Sequence, residues 1–435
     1  MKVMIVSPYT NSLIREHLQF SEYSPFTKKI IGKLGILGRS VEFKDAAPWV
    51  GQLIEELEKM PGIDVVSVSP HIKLNCALQH FKLGKTSYYY YSSDYSSALR
   101  LLKNYKGWKI LQNCSRRVMS IAKLVKPDVV VVYGTENPVV SVSQLELKKK
   151  YPVLCVLQTI YNNPERIKYN QPNKLIQDLE YDVVRNIVYF GTEDRLYYDL
   201  LKGMNKNVYA FEYLYPRTPL PAIEPQTKKY DFVNFAFNLD ARKGDEDAVR
   251  ALAIVKEHHP DVTMNLAGGI APERKAYIEH LVKELELQDN VSFTPMFERK
   301  EDMYRHVLQS RIALLPVKMD LISTTTREAM FYGIPVITNI TPATPELNRE
   351  KHCVLLAEKD NIRSLAKCML DVLENDNLAK SLSENGREYM IKQQANSKIM
   401  EKLVRILIAI IENYHQGADI PKELLFDVNK HPLLN

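Results

Sequence analysis

The stretch that most restricts how this chain can fold runs from Ile312 to Asn339. Ile312 to Val317 (IALLPV) is an apolar run of strand length with polar flanks, as expected of a strand buried on both faces of a parallel sheet. After a loop, Ser323 to Thr326 offer hydroxyl caps for a helix read from Arg327 to Tyr332, and Gly333 and Pro335 close that helix before a second strand, Val336 to Asn339. This order is a βαβ unit, the geometry in which anions and sugars bind at strand carboxyl ends. Asp320 and Glu328 lie eight apart, one on the loop and one at the helix start, and the backbone N–H groups between them suit a diphosphate. Glu328 has a second reading, as an acid favoured by the positive end of the helix dipole.

The same rhythm recurs along the chain. Lys2 to Ser7, Ile63 to Val68, Asp128 to Val132, Val153 to Leu157 and Ile187 to Tyr189 read as strands of a first half. Asp231 to Phe237, Met264 to Leu266, Val291 to Phe293 and Val354 to Ala357 continue them in a second. Thr86 to Ser97 (TSYYYYSSDYSS) predicts a half-buried strand with alternating tyrosines. Arg217 to Lys229 carries Pro219, Pro221 and Pro225 with no hydrophobic period and reads as an interdomain linker. The resulting division is 1–217, a linker at 218–229, 230–398, and 399–435 as a helix packing back on the protein plus a tail. A length of 435 residues favours two such domains.

In the second domain, Lys243 stands just before a helix at the carboxyl end of a strand, a natural diphosphate position. Gly268 and Gly269 close the next strand where a backbone could approach a ligand closely. Asp245-Glu246-Asp247 matches a metal-binding DxD only as text, since acids are favoured in a first helical turn. The five cysteines lack any CxxC pair, so neither a disulfide framework nor a zinc site is indicated, and a reducing cytosol is expected. No apolar run is long enough to span a bilayer. Met1 to Pro225 holds 30 Lys+Arg against 21 Asp+Glu and the remainder 28 against 31, so only the first half is basic. Lys103, Lys106, Lys109, Arg116, Arg117, Lys123 and Lys126 concentrate that charge, which suits an anionic surface or a solvated helix face.

With these residues in view, the second domain resembles the retaining glycosyltransferases of GT-B type, family 4, as found in bacterial capsule and other polysaccharide clusters. The resemblance is carried by NLDARKG (238–244), AGG (267–269), and the D-x7-E, G-x-P and PEL pattern between 320 and 347. It is weaker in the first domain, where it rests on KPDVVVVYGTENP (126–138). It implies an α/β fold of two Rossmann-like domains facing each other across a cleft, an acceptor bound by the first and a nucleotide sugar by the second. It also implies that Lys243 meets the donor pyrophosphate, that Glu328 holds the ribose hydroxyls, and that Asp320 faces the transferred sugar. Asn238, Gly268, Gly269 and the amides of Thr324 and Thr325 would complete the donor site, with Tyr133 near the sugar. Three features depart from the family pattern: the arginine before the lysine is replaced around Phe237 and Asn238, Tyr133 stands for a histidine, and the glycine loop after the first strand is missing.

The implied activity is metal-independent hexosyl transfer from a nucleotide-diphosphate sugar to a glycan or lipid-linked acceptor, with no cofactor and no nucleic acid partner. The implied place is the cytoplasm, at the inner face of the membrane where the acceptor is lipid-linked. The competing readings are a noncatalytic relative that binds a nucleotide sugar or a partner, and a non-transferase nucleotide-sugar enzyme such as an epimerase.

Overall fold

The computed structural model describes residues 1–20, 45–93, 105–167, 173–193, 195–217, 220–297, 299–318, 322–393 and 396–431. They form two compact units, Met1–Thr218 with Asn396–Lys430, and Pro219–Ala395 with His431–Asn435.

The first unit is built on an eight-stranded sheet. Its strands are β1 (Lys2–Val6), β2 (Asp64–His71), β3 (Leu78–Leu83), β4 (Thr86–Ser92), β5 (Val129–Tyr133), β6 (Val153–Val156), β7 (Tyr189–Thr192) and β8 (Tyr209–Glu212). They lie in the order β3-β4-β2-β1-β5-β6-β7-β8, all parallel except the β3–β4 hairpin. Helices cover both faces, so the parallel strands are valine runs buried throughout, as in β5 (VVVVY). The expected alternation of tyrosines does not occur: Tyr88, Tyr89, Tyr90 and Tyr91 are all buried. β4 is an interior strand with packing on both faces: Tyr88 and Tyr90 join the core of the first unit, and the helix Tyr105–Val125 also lies against the strand. The polar tips find backbone acceptors, Tyr90 donating to Tyr9 O at 2.6 Å and Tyr91 to Val139 O at 2.7 Å. The expected strand ran on to Ser97, but 94–97 lie outside the described residues.

The helix Asn396–Gln416 buries Ile399, Met400, Leu403, Ile406, Leu407, Ala409 and Ile410. Six of these, from Met400 to Ile410, join the core of the first unit beside Val129, Val131 and Phe211. Tyr414, near the end of the same helix, is exposed.

The second unit holds a fully parallel six-stranded sheet, β9 (Tyr230–Leu239), β10 (Met264–Ile270), β11 (Val291–Thr294), β12 (Ser310–Leu315), β13 (Val336–Asn339) and β14 (Leu355–Ala357). The order is β11-β10-β9-β12-β13-β14. The chain therefore winds outward in one direction from β9 and in the other from β12. Loops leaving the carboxyl ends of these two neighbours diverge, and that switch point is where doubly wound sheets bind ligands.

Candidate functional site

At the end of β9 the Asp240 carboxylate accepts from the Arg242 backbone N–H at 2.9 Å and caps a short 3-10 turn, Ala241–Lys243. Gly244 then starts the helix Asp245–Lys256 with φ of +71°, and a Cβ there would fall 2.2 Å from the Pro316 carbonyl oxygen. Only glycine lets this loop press against the end of β12. The Lys318 N–H donates to Arg242 O at 2.9 Å, so the two diverging loops of the switch point are joined by their backbones.

Between those joints sits Lys243. Its neighbour Arg242 takes the Asp240 carboxylate, while Lys318 bonds Asp247 at 2.7 Å and Asp360 at 3.0 Å. Among the described residues the Lys243 ammonium makes no ion pair. Burial pulls its pKa below the ordinary 10.5, against the raising influence of Asp240. A half-buried cation that no carboxylate among the described residues pairs with is one an anionic ligand can neutralise.

The helix after β12 is Thr324–Phe331. Its N-cap Ser323 accepts from the Thr326 N–H at 3.1 Å, which leaves the amides of Thr324 and Thr325 as the open donors of the first turn. Glu328 does not fit the helix-dipole reading: it is the fifth residue of the helix, and the first turn contains no acid. Instead it is buried, 6% exposed, and accepts the Tyr304 hydroxyl at 2.7 Å, with the Lys300 ammonium 3.7 Å away. Burial raises its pKa above the ordinary 4.5, opposed by Lys300 and Tyr304. Tyr304, Lys300 and the Lys318 ion pairs were not legible from local sequence.

Gly268 and Gly269 differ from expectation in what they approach. Pairing of β10 with β9 slips between them, so that Gly268 faces Ala236, Gly269 faces Asn238, and Phe237 bulges out. A Cβ at Gly268 would lie 1.9 Å from Ala236 O, and one at Gly269 3.0 Å from Phe237 O and 3.1 Å from Asn238 Oδ1. The close approach is to the neighbouring strand, and its effect is to set the exposed Asn238 at the lip of the switch point.

Asp320 lies outside the described residues. Tyr133, assigned near the donor sugar, is corrected: it is 1% exposed, and its hydroxyl meets that of Tyr213 in a cluster that includes Tyr215. A strand residue whose tip is closed into the core offers no group to a ligand. The acids of the DxD text are likewise engaged, Asp245 by Arg274 at 2.5 Å and Asp247 by Lys318.

With this geometry established, the comparisons give the fold and a family likeness. Residues 217–389 match the family described as glycosyl transferases group 1. The solved structures it resembles include sucrose-phosphate synthase from Thermosynechococcus elongatus (TM-score 0.63, 18% identical, covering 94% of this chain and 99% of that one). Another is Anabaena Alr3699/HepE in complex with UDP (TM-score 0.60, 12% identical, 94% and 100%). These likenesses, with parallel α/β sheets in two units, make the fold GT-B. Among curated proteins it is similar to an uncharacterized glycosyltransferase of Haemophilus influenzae, 25% identical over 195 residues, which is 45% of this chain. The match spans about half (52%) of that relative's length.

Proposed function

We propose that this chain is a retaining, metal-independent glycosyltransferase that moves a hexose from a nucleotide-diphosphate sugar to a glycan or lipid-linked acceptor in bacterial polysaccharide synthesis. The observation that carries the reading is Lys243, a half-buried ammonium with no ion pair among the described residues, at the switch point that also carries the helix start at Thr324 and Thr325. Breaking the bond between sugar and diphosphate leaves negative charge on the departing oxygen. A fixed cation and two aligned N–H donors stabilise that charge more than they stabilise the intact donor, which is what accelerates the step. In a retaining reaction without an enzymic nucleophile, the departing phosphate oxygen takes the acceptor's proton, so no side chain has to act as base. Glu328 would hold the ribose, and Asp320 the hydroxyls of the transferred sugar.

UDP is the first nucleotide to try, because it is the ligand of the Anabaena neighbour. The test is a thermal-shift panel of UDP, GDP and ADP with their sugars, followed by turnover of whichever binds. Binding at 100 times Kd should stabilise by ~2.7 kcal/mol. Absence of any shift across the panel would rule the reading out, and a shift without turnover against a range of acceptors would favour a noncatalytic nucleotide-sugar binder. The missing arginine near Asn238 is the feature that supports this second reading.

The contact with an anionic membrane face belongs to the same proposal and rests on the helix Tyr105–Val125, which contains no acid. Lys109, Arg116 and Lys123 are exposed on it at seven-residue intervals, a row with a spacing of ~10.5 Å. Among the described residues none of the three pairs with a carboxylate. Lys103 lies outside the described residues. Vesicles containing phosphatidylserine should retain the protein at low salt and release it at high salt, and should retain a Lys109→Glu, Arg116→Glu, Lys123→Glu variant poorly. Equal retention of that variant, or equal binding to neutral vesicles, would remove the membrane contact. Among the described residues, no helix is long and apolar enough to cross a bilayer.

A further inference from the structure

Glu328 is held by one oxygen only. The Tyr304 hydroxyl donates to Oε1 at 2.7 Å, and the Lys300 ammonium stands 3.7 Å from the same atom. Both partners come from the helix Lys300–Val307, one turn apart, so they reach the carboxylate from one side. Oε2 has no partner among the described residues, although the side chain is only 8% exposed. An ionised carboxylate is purely an acceptor, and Oε2, which is not among the enclosed unpaired atoms, stays open to donors from solvent or a ligand. The hydroxyls of a ligand can supply the donors that the described residues do not.

Tyr304 itself has little freedom. It is 2% exposed, and its ring packs 5.0 Å from that of Tyr332, whose hydroxyl is anchored on Pro221 O at 3.0 Å. Burial and the facing Glu328 carboxylate push the Tyr304 phenol far up, so it stays a donor at any working pH. The carboxylate therefore cannot turn its bound oxygen outward without breaking a buried hydrogen bond.

Resting on the donor site described above, we infer that Tyr304 is a positioning residue that fixes Glu328 with Oε2 presented to the ribose hydroxyls of the nucleotide, and so sets the preference for ribose over a sugar lacking them. Lys300, exposed and more distant, supplies charge to the same oxygen without fixing its direction.

The experiment measures affinity for the nucleoside diphosphate that binds among UDP, GDP and ADP, and for its 2′,3′-dideoxy analogue, in the wild-type chain, Tyr304→Phe, Lys300→Met and Lys243→Ala. The wild type should prefer the ribose form about tenfold or more, the value of a hydrogen bond to a charged group. In Tyr304→Phe that preference should fall to about threefold or less, and donor KM should rise while kcat stays near wild type. Lys300→Met should keep the preference. A Tyr304→Phe protein that folds and retains the full preference overturns the inference. Should Tyr304→Phe not fold, the wild-type crystal structure with the bound nucleotide decides. Oε1 on Tyr304 and Oε2 on the ribose supports the inference, and Tyr304 displaced from Glu328 overturns it. If no nucleotide binds, or Lys243→Ala binds as well as wild type, the donor site fails and this inference falls with it. If Lys243→Ala weakens binding but Tyr304→Phe preserves the preference, only the inference fails.

Discussion

Replacing Lys243 with alanine should lower kcat/KM for the donor by a factor of about 10² to 10³, the usual cost of removing one preorganised group from developing charge. The effect should fall mainly on kcat, because the ammonium opposes charge that grows as the bond breaks. Lys243→Arg keeps the charge but replaces a compact ammonium with a planar fork in a loop fixed by Gly244 and Lys318, so partial recovery is expected. The pH profile provides a second reading of the same residue. Burial disfavours the charged form and draws the Lys243 pKa below 10.5, so the ammonium is present at low pH and is lost as pH rises through that lowered value. Activity should decline on the alkaline side earlier than an ordinary lysine would cause, and Lys243→Ala should lack that limb. Glu328 acts in the opposite sense: its pKa lies above 4.5, so donor binding should weaken as pH falls through the raised value.

Gly268→Ala should be the most damaging small substitution in the second unit. The added carbon would meet the Ala236 carbonyl oxygen at 1.9 Å, and a φ of +139° is one that L side chains rarely adopt. Neither neighbour is a flexible side chain, so β9 or β10 has to shift. The expected loss is about 3 to 5 kcal/mol, seen as a fall of roughly 10 °C in the Tm of that unit. Gly203→Ala, in the first-unit helix Arg195–Met204 where a Cβ meets nothing within 4 Å, is the control for glycine replacement as such. It should leave Tm unchanged or raise it slightly. A Gly268→Ala protein as stable as the control would mean that the slip between the strands is not required.

How much of this could be read beforehand follows from the range of the interactions. The buried strands were legible because a parallel strand covered on both faces carries its own signal, as Val129–Tyr133 and Ser310–Leu315 do. β3 was not, since LQHFKL lies at a sheet edge with one face exposed and the other only partly buried, through Phe81 and Leu83, which leaves too weak a hydrophobic period to read. Its two-residue connection through Gly84 and Lys85 was the available clue. The local chemistry of the site was also legible: Lys243 before its helix and Ser323 as cap are properties of neighbouring residues. What failed was long-range. Tyr133 ends an apolar run in the place of a ligand residue, and only Tyr213, 80 positions later, closes it into the core. Tyr304 reaches Glu328 from another helix, and no spacing rule relates the two.

The most direct test of the account is a crystal structure of the chain with the nucleoside diphosphate that binds it. Phosphate oxygens should lie about 3 Å from Lys243 Nζ and from the amides of Thr324 and Thr325, with the ribose on Glu328. Phosphates bound elsewhere, or a Lys243 side chain turned away from the nucleotide onto a carboxylate, would contradict it.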